Sequence, residues 1–234
     1  APKRMLMIGL ASGSWGQVFA NDPRVSRLDV VEINPGYLQL IPQYPMVSSL
    51  LQNPKAHLYV DDGRRWLFAH SDEKYDVIVA NTTFHWRDHS STLLSKDFLL
   101  LIRQHLNPGG IYVFNTTESN ETIATALVVF PYGMRLINVL AVSDSPFSLD
   151  REKWLQNLAA FRMDGKQCFP AETKEGQYLL SAYSAFADTI HAPPRFLGVE
   201  SDASLRARLG RQRIITDDNM GREWAPTVEL PWRQ

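Results

Sequence analysis

The chain has 234 residues, 44% of them hydrophobic, and its 24 basic and 25 acidic side chains leave a formal net charge of −1. That is enough chain for one sizeable core, or for one domain with an appendage. The charge balance excludes a global field that attracts nucleic acid or anionic lipid. The single cysteine, Cys168, excludes an internal disulfide, fits a reducing compartment and has no second cysteine for a zinc site, so no metal is expected.

In chain order, Met5 to Ile8 is an apolar run of strand length that breaks into Gly9-Leu10-Ala11-Ser12-Gly13-Ser14. Trp15 to Ala20 then has helix-forming potential. A second apolar run, Val30-Val31, ends on Glu32-Ile33, with Glu32 twenty-three residues after Gly9. Gly9, Ala11 and Gly13 let the backbone turn tightly and approach a ligand. The helix that follows points free N–H groups at a bound molecule. An acidic residue at the next strand tip sits where two ribose hydroxyls can donate to it. This is the layout of a nucleoside-binding βαβ unit. A ligand-free strand-to-helix turn is the bland alternative, disfavoured by the flanking strand and helix and by the spacing to Glu32. Gly16 stands three residues after Gly13, but Ser14 and Trp15 crowd the turn. A single nucleoside with a small appendage, S-adenosylmethionine or a relative, fits better than NAD.

The alternation continues. His57 to Val60 reads as a strand ending in Asp61-Asp62-Gly63, and Arg64 to His70 as a helix. Tyr75 to Ala80 is a near-continuous apolar strand, as expected for a parallel strand buried on both faces. Thr92 to Leu106 is helical, with Leu94, Phe98, Leu101 and Ile102 at helical spacing and a stop at Asn107-Pro108-Gly109-Gly110. Ile111 to Phe114 is a strand, Asn120 to Phe130 a helix and Met134 to Val142 another strand. Such alternation means an α/β domain with a doubly wound, mostly parallel sheet. Beyond Ser143 the pattern turns helical: Asp150 to Phe161, Gly176 to Ile190 and Ala203 to Leu209. The expected organisation is a nucleoside-binding Rossmann-like domain over residues 1–145 and a helical C-terminal extension over 146–234, packed on the same domain.

The most apolar long window, Ala124 to Val142, carries Arg135, Pro131 and Gly133 and does not read as a membrane span. No signal peptide is visible. The first core strand begins almost at Ala1, as expected of a piece trimmed from something longer.

Ligands of doubly wound sheets bind at the carboxyl ends of the strands. Those ends are Gly9 to Ser14, Glu32-Ile33, Asp61-Asp62-Gly63 and Asn81 to His85. Asp62 is placed to accept from an exocyclic adenine amine, with the backbone near Gly63 against a ring nitrogen. The bland reading is that Asp62 caps the following helix, and the two roles are compatible.

These motifs resemble the catalytic domain of the spermidine synthases, the polyamine aminopropyltransferases. The resemblance is carried by Ile8 to Ser14, Val31-Glu32-Ile33, Asp61-Asp62-Gly63-Arg64, Tyr75 to Val79 and Leu106 to Gly110. The tail Ile215-Thr216-Asp217-Asp218-Asn219 resembles the family's Thr-Asp-Asp element. Thr82 to Arg87 matches a branch that often carries the domain behind a membrane-embedded N-terminal region. The resemblance implies the S-adenosylmethionine-dependent methyltransferase type of fold. It also implies S-adenosylmethionine or its decarboxylated form as co-substrate, a small-molecule amine as acceptor, a homodimer, and a cytoplasmic or cytoplasmic-facing location. The cofactor-binding residues it assigns are Gly9, Ala11, Ser12, Gly13, Glu32, Ile33, Asp62, Gly63 and Asn81. The family's small N-terminal β-domain, which contributes to the polyamine site and the subunit interface, would lie before Ala1.

Two departures bear on chemistry. The family's Gly-Gly-Gly-Asp-Gly reads Gly9-Leu10-Ala11-Ser12-Gly13 here, so Ser12 replaces an acid. The family's Asp-Ser-Ser-Asp reads Asn81-Thr82-Thr83-Phe84, so both carboxylates are gone. Aminopropyl transfer needs a neutral attacking amine, and general-base help is worth ~10²–10⁴ in rate, about 3–5 kcal/mol. Asn81 hydrogen-bonds an amine but takes no proton. The remaining candidates near that strand end are His85, Asp88 and His89; a histidine such as His85 can act as a base near neutral pH, against a surface or capping role. Three functions follow: an aminopropyltransferase-like enzyme with altered amine specificity, a methyltransferase, or a catalytically silent nucleoside-binding domain.

Overall fold

The structure, a computed structural model, describes residues 3–81, 90–188 and 199–221. The chain runs β1 (Arg4–Ile8), α1 (Ser14–Asn21), β2 (Arg27–Glu32), α2 (Pro35–Leu40), β3 (Ala56–Val60), α3 (Gly63–Ala69) and β4 (Tyr75–Ala80). It continues through α4 (Lys96–Gln104), β5 (Leu106–Asn115), α5 (Asn120–Val129), β6 (Tyr132–Leu136), β7 (Val139–Ser143) and α6 (Arg151–Ala160). It closes with β8 (Arg162–Met163), β9 (Lys166–Gln167), α7 (Lys174–Asp188), β10 (Val199–Glu200) and α8 (Asp202–Leu209).

The central sheet has eight strands in the order β10-β6-β7-β5-β4-β1-β2-β3. β1 to β5 are parallel neighbours, as the alternation of strands and helices requires. β1 sits at the centre: Met7 faces Val30 on one side and Val79 on the other. The strand order reverses there, which opens a crevice outside the carboxyl ends of the strands.

β1 is apolar on both faces because both are covered. Leu6 and Ile8 join one core layer with Leu67, Ile78, Phe98 and Tyr112. Met5 and Met7 join the other with Leu28, Val30, Ile41 and Leu50. Helices begin where the sequence supplies a cap: Ser95 Oγ accepts from the Phe98 N–H at 3.1 Å and Ser119 Oγ from Thr122 at 3.3 Å. α4 therefore starts at Lys96 rather than at Thr92.

Two expectations are corrected. Met134 to Val142 is not one strand but the antiparallel pair β6–β7. The chain reverses at Ile137-Asn138, with Ile137 at φ 56°. The Asn138 carbonyl accepts from the Thr116 N–H at 2.7 Å and from its Oγ1 at 2.8 Å, which pins the reversal to the end of β5. The C-terminal third is not purely helical either. β8–β9 is a small hairpin, and β10 adds an antiparallel edge to β6, where Arg135 and Arg208 both donate to the buried Glu200. Leu205 and Leu209 of α8 enter the main core, and the Ile215 N–H donates to Thr125 Oγ1 at 2.9 Å. No helix among the described residues is long and apolar enough to cross a membrane.

Candidate functional site

Backbone hydrogen bonds beyond the strands gather their ends into one rim. The Gly9 N–H donates to the Val31 carbonyl at 2.9 Å, Asn81 to Ile8 at 3.1 Å and Asp61 to Glu32 at 3.1 Å. The residues after β1, β2, β3 and β4 are thereby adjacent.

The turn between β1 and α1 is shaped by left-handed backbone at Gly9 (φ 87°), Ala11 (φ 46°) and Gly13 (φ 81°). A Cβ at Gly9 would lie 3.2 Å from the Asn81 carbonyl oxygen, so glycine permits the close approach of the two strand ends. At Gly63, the first residue of α3, a Cβ would meet Ile8 Cγ2 at 2.4 Å. Gly63 thus lets α3 start directly against β1.

Glu32 is only 4% exposed. Its Oε2 accepts from the Leu10 N–H at 2.6 Å and the Ala11 N–H at 3.3 Å, and its Oε1 from the Asn34 N–H at 2.8 Å. The carboxylate is fixed by turn amides, yet its two oxygens offer about four lone-pair sites, which leaves capacity for ligand hydroxyls. Next to it Ile33 is 68% exposed, an apolar platform at the rim. Ser12 and Ser14 hydroxyls lie 3.0 Å apart at the start of α1.

Asp62 is the N-cap of α3, with Oδ1 accepting from the Arg65 N–H at 2.8 Å. The cap role weighed in the sequence is therefore present. The Arg65 side chain bonds Asp61 Oδ1 at 2.5 Å and holds that carboxyl below the usual carboxylate range. Asn81 is half-buried at the end of β4. His85, Phe84 and the rest of 82–89 lie outside the described residues.

The role of the tail was visible in sequence only as a resemblance. Asp217 accepts from both terminal nitrogens of the Arg64 guanidinium, Nη1 at 2.9 Å and Nη2, and from Ser95 Oγ at 2.6 Å. Arg64 and Ser95 hold its carboxyl below the usual range despite partial burial. The tail thus clamps the N-termini of α3 and α4. A second missed group is Gln17, Ser49 and Asp164, which are mutually hydrogen-bonded beside the turn although far apart in sequence. Among the described residues there is no cluster of three or more His, Cys, Asp or Glu that could hold a metal.

With this geometry in place, similarity to known proteins takes on meaning. The family model for the spermine/spermidine synthase domain matches residues 1–129. The polyamine aminopropyltransferase of Streptococcus pneumoniae serotype 4 is 27% identical over 114 residues, 48% of this chain and 39% of that protein. That of Vibrio vulnificus is 27% identical over 218 residues, 89% of this chain and 66% of that protein. The chain therefore spans less than two thirds of the length of these relatives. A spermidine synthase in complex with the transition-state analogue AdoDATO shares the fold, with TM-score 0.55 and 16% identity over 76% of this chain and 68% of that one. So does human methyltransferase-like protein 13 in complex with SAH, with TM-score 0.54 and 22% identity over 67% of this chain and 79% of that one. The chain belongs to the spermine/spermidine synthase domain family, built on the α/β fold it shares with S-adenosylmethionine-dependent methyltransferases.

Proposed function

We propose that residues 1–145 bind decarboxylated S-adenosylmethionine in the crevice and transfer its aminopropyl group to an amine, with residues 146–234 packed on the same domain. The observation that carries this reading is the buried Glu32 carboxylate, locked onto the Leu10 and Ala11 amides at the switch point of the sheet. Its remaining lone pairs accept from the two ribose hydroxyls. Asp62 caps α3 through Oδ1 and accepts from the adenine amine through Oδ2. Gly9, Ala11, Ser12 and Gly13 bring the turn against the appendage of the nucleoside, Ile33 packs on the adenine, and Gly63 keeps α3 close. Preference for the decarboxylated form follows from charge. Glu32, Asp61 and Asp62 line the strand ends, while Arg64 and Arg65 are already paired with Asp217 and Asp61. Among the described residues of these strand ends, a methionine carboxylate therefore gains neither arginine as a free partner.

In the transfer step the amine lone pair attacks the carbon next to the sulfonium. The carbon–sulfur bond breaks, its electron pair returns to sulfur, and methylthioadenosine leaves. The amine proton passes to a base. Asn81 orients the amine by hydrogen bonding, and His85 accepts the proton. The homodimer and a preceding N-terminal region belong to the same proposal.

Asn81 also favours a second reading, methyl transfer to an acceptor that is already nucleophilic, since such a reaction needs little base. One experiment separates the two. Under aminopropyl transfer, Asn81→Asp supplies a cation anchor and proton acceptor and raises turnover of putrescine by about tenfold or more, inside the range of a general base. Asn81→Asp/Phe84→Asp, which restores both carboxylates, is assayed alongside. Loss of a measurable native activity in Asn81→Asp favours methyl transfer. No turnover in any form, with nucleoside binding intact, leaves a silent nucleoside-binding domain.

A further inference from the structure

The glycine turn after β1 has two sides. On one, Gly9 abuts Asn81: a Cβ at Gly9 would lie 3.2 Å from the Asn81 carbonyl oxygen. On the other, Ala11 and Ser12 form part of the wall of a cavity of about 650 Å³. The Ala11 N–H is itself held by Glu32 Oε2 at 3.3 Å. A ligand anchored at Glu32 and lying over the turn therefore has Asn81 to one side and the cavity to the other.

The far wall of the cavity, with Tyr37, Leu40, Ile41, Tyr44 and Met46, comes from the segment between β2 and β3. Residues 33–54 of that segment hold no Asp, Glu, Lys or Arg, in a chain where 21% of residues are charged. Val18 of α1 joins the lining, as does Met163, which the bonds of Asp164 to Gln17 and Ser49 bring in from the β8–β9 hairpin. None of the lining side chains carries a formal charge. The Ser12 and Ser14 hydroxyls, 3.0 Å apart, satisfy each other at its edge. Met46 is 86% exposed and Tyr44 58%. Large apolar side chains left open around a cavity mark a binding site rather than spare core, and a methyl group fills only a small part of a space this size.

We propose that this cavity is a subsite for the S-alkyl group of a 5′-thioadenosine, and that it takes alkyl groups longer than the methyl of methylthioadenosine. The inference rests on the nucleoside reading above and adds a substituent specificity to it. A sulfonium carries three carbon arms. The ribose arm is fixed at Glu32, and the arm that is transferred faces the amine oriented by Asn81. The third arm is left for the side of Ala11 and Ser12. It stays on sulfur when the aminopropyl carbon–sulfur bond breaks, so its seat is the same before and after transfer. Charge sorts the arms in the same way. The aminopropyl arm ends in an ammonium, and uncharged walls strongly disfavour an unpaired charge. A neutral alkyl chain gains there by burial. Ser12 in place of an acid leaves the mouth of the cavity neutral as well.

Calorimetry on the full chain compares methylthioadenosine with its 5′-ethylthio and 5′-butylthio analogues. Affinity is expected to rise about threefold for each added methylene, and about tenfold or more from methyl to butyl. Leu40→Glu, at a half-exposed position in the far wall, is expected to remove that gain. Methylthioadenosine, whose methyl reaches only Ala11 and Ser12, keeps its affinity in this variant. Val18→Trp, which fills the cavity from α1, has the same effect. Thermal melts verify that both variants fold, and the wild-type series decides the proposal by itself if either does not. Equal or weaker binding of the butyl compound to wild type, or a gain that persists in the folded variants, overturns the proposal and leaves the nucleoside reading standing. Failure of all three compounds to bind overturns the nucleoside reading and the subsite together.

Discussion

Glu32 Oε2 accepts the Leu10 N–H at 2.6 Å, so the acid at the end of β2 and the turn after β1 form one unit. The carboxylate that is proposed to bind ribose is also the group that holds the turn in its left-handed conformation.

Glu32→Gln is expected to weaken methylthioadenosine binding by tenfold or more, since charge-assisted bonds are worth about 1.5–3 kcal/mol each. Stability falls as well, because one of the amide contacts to the turn is lost. Calorimetry gives the first number and urea unfolding the second. Unchanged affinity with reduced stability assigns Glu32 to the turn alone.

Asp62 is tested by two substitutions with different outcomes. Asp62→Ala removes the cap of α3 and costs about 1 kcal/mol of stability. Asp62→Asn keeps a cap but presents an amide to the base. It is expected to hold stability and lose discrimination between adenosine and inosine analogues. If Asp62→Asn ranks those analogues as the wild type does, Asp62 is only a cap.

Gly63→Ala places a Cβ 2.4 Å from Ile8 Cγ2. Overpacking of this kind costs about 1–3 kcal/mol. The same substitution made in an Ile8→Ala background is expected to cost much less. Equal penalties in the two backgrounds would mean that the Ile8 contact is not what requires glycine.

Much of this was legible in sequence because it rests on local rules. Apolar runs with small residues after them gave β1, β2 and β4 and the rim of the crevice. Glu32 and Asp62 were legible because each is an acid after an apolar run, at the tip of a strand, and Asp62 also stands where a helix cap is expected. Asn34-Pro35 is also a helix-start signal, and Asn34 Oδ1 accepts from the Gly36 N–H at 2.9 Å at the start of α2. The β6–β7 reversal was missed because neither Ile137 nor Asn138 is glycine or proline, and the contacts that hold it come from Asn115 and Thr116. Gln17 with Asp164 was invisible for a stronger reason. The partners are separated by most of the chain, and nothing in local pattern brings a hairpin in the C-terminal third onto α1.

Asp217 provides a pH test. Its carboxyl is held below its ordinary value of 3.8 by Arg64, so its contribution is complete at neutral pH and is lost as pH falls through the folded-state value. Wild type is expected to exceed Asp217→Asn in urea midpoint at pH 7, and the difference is expected to fade at pH values below 3.8. A difference that does not change with pH would contradict a charged clamp between the tail and α3.

The central claim is that the crevice holds a decarboxylated nucleoside co-substrate, and one calorimetric comparison bears on it directly. Decarboxylated S-adenosylmethionine, S-adenosylmethionine and methylthioadenosine are titrated into the full chain under the same conditions. The account predicts that all nucleosides compete for one site and that the decarboxylated form binds tenfold or more tightly than the carboxylated one, a difference of about 1.4 kcal/mol or more. Tighter binding of S-adenosylmethionine, or no binding of any of the three, would contradict it.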